Sequence, residues 1–185
     1  MAFWFEGSLL GIAWLIGWMV NINPVANLSI EGTGLIVGII TTLPLFLLFL
    51  LFYRYPIGPL RQIKCALLEI LGPVLSICAW YELFILALVA GISEEILFRG
   101  LLQPWLEAVA GVLGGLILSN AIFGMLHWIS PIYAFIAGVI GLYIAYMMDI
   151  TGSRLLLTPI VIHSLYDFLA FLVVAEAYRL QKDHG

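Results

Sequence analysis

Charge is the scarcest commodity in this chain. Seven Lys or Arg and eleven Asp or Glu make up 10% of 185 residues, beside 64% apolar ones, whereas soluble domains run near ~45–50% apolar and ~25% charged. So thin a polar complement cannot cover a water-facing surface, and the chain reads as an integral, multi-pass membrane protein. The net charge of −4 comes from so few groups that it marks no nucleic-acid partner. Cysteine is almost absent. Cys65 and Cys78 sit in apolar context with neither CxxC spacing nor ligand residues around them, and read as helix packing rather than as a disulfide or metal site. Strand-like alternation is rare, which excludes a transmembrane barrel. A basic n-region is missing too. The first apolar run follows Glu6 and carries no A-x-A site, so it is expected to be a mature span rather than a signal peptide. Repeats, low-complexity tracts, soluble domains and flexible linkers are also lacking.

What is present is long apolar runs punctuated by breakers. They predict an all-α fold, a polytopic transmembrane helical bundle of about six to eight helices at ~20 residues each, forming one domain over 1–185. Residues 3–20 form the first expected span, ending at Asn21-Ile-Asn-Pro24; residues 33–53 form the second, with Pro44 inside and Arg54-Tyr-Pro-Ile-Gly-Pro59 after it. Arg54, Arg61 and Lys64 make this loop the densest in positive charge, so it is expected on the cytoplasmic side. Residues 60–79 suit either an interfacial helix or a span. If they span, the turn at Gly111 is cytoplasmic; if not, it lies opposite. A helix is expected from Tyr81 to Ala110, a turn at Gly111 and Gly114-Gly115, and then a helix from 115 to 128. Further helices are expected over 132–149 and 156–178, with Gly138 and Gly141 allowing close approach.

The few charges inside these runs form a pattern. Gly91-Ile-Ser-Glu-Glu-Ile-Leu-Phe-Arg-Gly100 places two carboxylates and an arginine where an ionised group costs roughly 2.5–3.5 kcal/mol to insert, which makes the cluster a functional candidate. Glu95 and Arg99 are i and i+4 in the favoured order and are expected to pair. Glu94, rotated by about 100°, points elsewhere and is the better candidate for chemistry. Glu94 lies 17 residues before Gly111 and His127 lies 16 after it, so an antiparallel hairpin sets them at similar depth. His163 and Asp167, again i and i+4, are expected to pair through one ring nitrogen, with Asp167 orienting the imidazole. Phe123 shares a face with His127 and reads as a packing wall.

Each of these groups has a plain explanation alone: a lone membrane histidine is often only hydrogen-bonded packing, and Glu95–Arg99 is an acceptable structural pair. Two histidines and an unpaired glutamate in one bundle fit better a site that activates water away from bulk solvent. Ser93, Ser119 and Ser164 lack a G-x-S-x-G context, and no H-E-x-x-H occurs. A proton or ion relay is the competing reading, as is a catalytically silent scaffold, although no paired halves of a carrier are visible.

Glu94-Glu-Ile-Leu-Phe-Arg99, Phe123-Gly-Met-Leu-His127 and His163-Ser-Leu-Tyr-Asp167 resemble, in order, the EExxxR, FxxxH and HxxxN/D motifs of the CPBP family of intramembrane proteases, which includes the CAAX prenyl endopeptidases. The resemblance covers a motif core over 80–170. It implies an intramembrane endopeptidase acting on a protein or peptide substrate at the bilayer. Glu94 would be the base, assisted by His127; Glu95 and Arg99 would support it, and His163 would stabilise the oxyanion. Asp167 departs from the asparagine of the prenyl endopeptidases, and an ionised carboxylate cannot donate to an oxyanion; orientation of His163 is the role expected of it. No cofactor is required on this reading. If zinc were present, His127, His163 and Glu94 would be its ligands. So short a polytopic chain is expected in a prokaryotic plasma membrane.

Overall fold

The computed structural model describes residues 2–183, and side chains from residue 5. Among these residues the chain is all-α: α1 (Ala2–Val20), α2 (Gly32–Arg54), α3 (Pro59–Ile70), a single turn α4 (Gly72–Leu75), α5 (Trp80–Glu95), a π-helical segment (Ile96–Leu102), α6 (Gln103–Leu126), α7 (Pro131–Met148) and α8 (Leu157–Asp183). Four stretches are long and apolar enough to cross a membrane: Gly32–Arg54, Trp80–Leu126, Pro131–Met148 and Leu157–Asp183; Phe5–Val20 is a shorter apolar helix. The expected polytopic helical bundle is what the chain forms.

The helical run Trp80–Leu126 is 47 residues long. Straight, it would reach ~70 Å, more than twice the ~30 Å of a hydrocarbon core. It folds in two at Gly111, whose φ of 76° and ψ of 166° leave the helix. A residue with a Cβ is strained at such a φ. Residues 112–126 then pack back on the π segment, where Phe98 and Phe123 meet edge to face at 5.0 Å between centroids. The turn expected at Gly111 is therefore present. Gly115 instead lies against the backbone of Glu107 across the hairpin, where a side chain would collide.

Residues 60–79 do not span. α3 has 12 residues, a polar and an apolar face and no buried residue; at ~1.5 Å per residue it is too short to cross. It packs against α2, α4 and α8, and α4 leads the chain toward α5, whose first turn is closed by the Ala79 N–H donating to Glu82 Oε2 at 2.7 Å. Arg179 in turn donates to the carbonyls of Ser76 (2.9 Å) and Cys78 (3.1 Å), and Lys64 to that of Tyr53 (3.1 Å). This end thus gathers Arg54, Arg61, Lys64, Arg179 and Lys182. At the opposite end Arg154 binds Glu107 and Asp149, and these hydrogen bonds, Glu107's first, raise its pKa above the ordinary arginine value. Cys65 and Cys78 are free.

The packing is inverted relative to a water-soluble domain. Trp18, Leu47, Val109 and Phe135 are exposed, while Glu95, Arg99, Gln103, Asn120 and His163 are buried. That is the arrangement of a protein whose outer surface meets lipid and whose polar groups meet one another. Helices approach closely where glycine permits it. Gly38 of α2 faces Val161 of α8, and Gly124 of α6 faces Ala134 and Gly138 of α7.

Candidate active site

The site begins where α5 passes into the π segment. The Gln103 N–H bonds the Phe98 carbonyl, an i to i+5 spacing, and such widened turns recur at functional positions. Gly100, inside it, lies against the Pro24 carbonyl of the α1–α2 connection, where any side chain would collide. Arg99 points inward and is fully buried. Its Nη1 donates to Glu95 Oε1 at 3.0 Å, while Nη2 donates to Asn120 Oδ1 at 2.9 Å and to the Gly141 carbonyl at 2.8 Å. The guanidinium also lies 4.8 Å from the centroid of Phe123, a cation–π distance. The pair expected between Glu95 and Arg99 is formed.

Glu95 Oε1 has a second partner, Nδ1 of His163, at 2.7 Å. Facing a carboxylate that neutralises Arg99, this nitrogen carries the hydrogen. Asp167 is the other carboxylate at this ring. Asp167 Oδ2 stands 3.5 Å from Nε2, the other ring nitrogen, and makes the longer and weaker contact. Sequence spacing could pair His163 only with a neighbour on its own helix, whereas Gly91, packed against Ser164 without a side chain, lets α5 bring Glu95 closer.

Glu94 faces away from the Arg99 pair. Its Oε2 lies 3.6 Å from His127 Nε2 and 4.0 Å from His163 Nε2, so the matching depths expected of Glu94 and His127 are realised. His127 itself sits just past the end of α6, as its C-terminal cap, rather than within a helix. Its Nδ1 lies 2.8 Å from the Phe123 carbonyl. A carbonyl only accepts, so Nδ1 carries the hydrogen and Nε2 presents a lone pair toward Glu94. The Phe123 ring lies on the imidazole at 4.3 Å, the wall expected of it. Access is graded. Glu95 and Arg99 are closed off, Glu94 is 12% exposed and His127 29%, so the site is reached from the His127 side.

All six candidate residues therefore converge. Glu6 of α1 had no assigned role. Its Oε2 is buried without a hydrogen-bond partner, and it lies within electrostatic reach of Glu94, His163, Asp167 and His127. A carboxylate inside the first apolar run was the available signal. Asn120 and Gly141 are also missing from the motif set, although both hold Arg99. Of the serines, Ser93 and Ser119 donate to carbonyls of their own helices, and Ser164 Oγ is buried without a hydrogen-bond partner. Among the described residues no group of three or more His, Cys, Asp or Glu side chains is disposed to hold a metal ion, and no step is assigned to a metal.

No curated protein and no solved structure matches the chain. A family model described as type II CAAX prenyl endopeptidase Rce1-like does match, over residues 73–169. Those residues contain the Glu94, His127 and His163 motifs with their whole hydrogen-bonded framework, and the chain belongs to this family of CAAX-type membrane endopeptidases.

Proposed function

We propose that the chain hydrolyses a peptide bond in a membrane-associated or CAAX-like protein substrate, using a water activated by Glu94. The observation that carries this reading is that Glu94 Oε2 lies 3.6 Å from His127 Nε2 and 4.0 Å from His163 Nε2, at the open edge of an otherwise sealed polar network. Spacings of 3.6 and 4.0 Å exceed a direct hydrogen bond but suit a bridging water. The tautomer of His127 supports the chemistry. Glu94 and His127 both present acceptors, so a water held between them donates one hydrogen to each and turns its oxygen lone pair toward a substrate carbonyl. As the water attacks, Glu94 takes its proton, and then returns it to the leaving amine.

His163 is assigned to the oxyanion. With Nδ1–H given to Glu95, its Nε2 donates only in the imidazolium form, and the carboxylates of Glu94, Glu95 and Asp167 around the ring supply the compensating charge. Lost donors of this kind typically cost about 10²–10³ in kcat. Arg99 and Glu95 hold the ring rather than touch substrate. The five basic residues at the α3 end orient that end to the cytoplasm by the positive-inside rule.

The test is cleavage of a panel of CAAX-type and bacteriocin-leader peptides by purified, detergent-solubilised protein. Wild type is compared with Glu94→Gln, each with and without a strong zinc chelator. The expected result is cleavage by wild type that survives chelation and disappears in Glu94→Gln. Undiminished cleavage by folded Glu94→Gln would end the mechanism, and ion flux through reconstituted wild type without cleavage would favour a relay.

A further inference from the structure

The hydrogen-bonded line that ends at His163 starts on another helix, outside all three motifs. Asn120 of α6 accepts from Arg99 Nη2 through Oδ1 at 2.9 Å, and its Nδ2 donates to the Leu116 carbonyl at 2.8 Å, one turn back. The second bond decides which way the amide faces, because only the oxygen can accept from Arg99. Arg99 Nη1 reaches Glu95 Oε1, and Glu95 Oε1 reaches His163 Nδ1. Four residues on α6, the π segment, α5 and α8 are thus joined end to end, all of them buried.

We propose that Asn120 is a positioning residue for the site: it holds the Arg99 guanidinium in the plane from which Glu95 fixes the ring of His163. This rests on the assignment of His163 to the oxyanion. The geometry leaves Arg99 little else to hold it. Of the two Nη2 hydrogens, one goes to Asn120 and the other to the Gly141 carbonyl. Gly141 reaches this position because it lacks a side chain, which would run into both Asn120 Oδ1 and Arg99 Nη2. Without the amide oxygen, a buried N–H of a charged group is left unpaired. The guanidinium regains a partner only by turning, and turning carries Nη1 away from Glu95. Asn120 lies on the same limb as Phe123 and His127, so one helix sets both histidines: His127 by its own backbone and His163 through Asn120.

A purely structural asparagine would stabilise Arg99 without affecting His163, and the two roles are separable. Wild type, Asn120→Leu, Asn120→Ala and Asn120→Asp are labelled with 15N-histidine, purified in detergent, and the imidazole resonances recorded. Asn120→Ala serves where Asn120→Leu fails to fold. The expected result is a hydrogen-bonded Nδ1 proton of His163 in wild type and Asn120→Asp, which keeps the acceptor. In Asn120→Leu and Asn120→Ala that resonance shifts or broadens while those of His127 stay in place. In the peptide assay, kcat falls about 10- to 100-fold with KM within about twofold, the scale of a small misplacement of a catalytic group, and Asn120→Asp recovers most of the loss. An unaltered His163 resonance in Asn120→Leu or Asn120→Ala overturns the proposal, as does an Asn120→Asp protein that behaves like Asn120→Ala. Because the resonances are read without substrate, a failed peptidase reading, shown by active Glu94→Gln, is told apart from a failed role for Asn120.

Discussion

Glu94 and Glu95 are adjacent in sequence and opposite in circumstance. Glu95 is sealed between Arg99 and His163, whereas Glu94 faces two imidazole nitrogens at the open edge. Their substitutions should therefore separate. Glu94→Gln keeps the fold and loses cleavage, whereas Arg99→Leu takes from buried Glu95 its arginine partner and breaks the ion pair. That second change is expected to cost about 3–5 kcal/mol, read as a lower unfolding midpoint in detergent. Asp167→Asn separates the two carboxylates that flank His163. Glu95 holds Nδ1 at 2.7 Å and Asp167 approaches Nε2 at 3.5 Å, so neutralising Asp167, which removes one of the charges that sustain the imidazolium, should lower kcat, but by less than Glu95→Leu does. A loss as large as that of Glu95→Leu in the same assay would give the orienting role to Asp167.

Among the elements, the folded-back helix matters most, since it carries both Glu94 and His127. Gly111 at φ 76° permits the reversal, and Gly111→Ala is expected to cost about 1–2 kcal/mol for a left-handed residue with a Cβ, measured by thermal unfolding. Gly124 is a finer test. It lies against α7 at Ala134 and Gly138, just before the turn that bears His127. Gly124→Val should push α6 from α7, displace His127, and lower kcat more than stability; equal losses in both would show that this contact supports only the fold. The hairpin was legible in the sequence, from the glycine and the equal distances to Glu94 and His127. The π segment was not, because a widened turn leaves no mark in apolar periodicity. The second partner of Glu95 was hidden for a related reason: i to i+4 arithmetic finds partners within a helix and is blind to those across one.

At the scale of the whole molecule, α3 determines the topology. Too short to span and with no buried residue, it leaves five basic side chains at one end and Arg154 at the other, so by the positive-inside rule the α3 end is expected in the cytoplasm and the Gly111 turn opposite. Cys65, exposed and free at the α3 end, offers a native probe. In a Cys78→Ser background a membrane-impermeant maleimide should label Cys65 in inside-out vesicles and not in intact cells, and Thr151→Cys in a cysteine-free background should give the reverse pattern. Labelling of Cys65 from outside would invert the orientation.

The sequence by itself determined that the protein lives in a bilayer, that it is built of helices, and which six ionisable residues stand out inside its apolar runs. These follow from composition and spacing, because buried charge in an apolar chain is costly enough to be conspicuous. Tertiary structure decided which carboxylate lies against which histidine, that residues 60–79 form no helix long enough to span, and that Asn120 and Gly141 grip Arg99. Those outcomes depend on contacts between helices. Such contacts are set by a few close approaches at glycine, where one absent Cβ decides which side chains can meet.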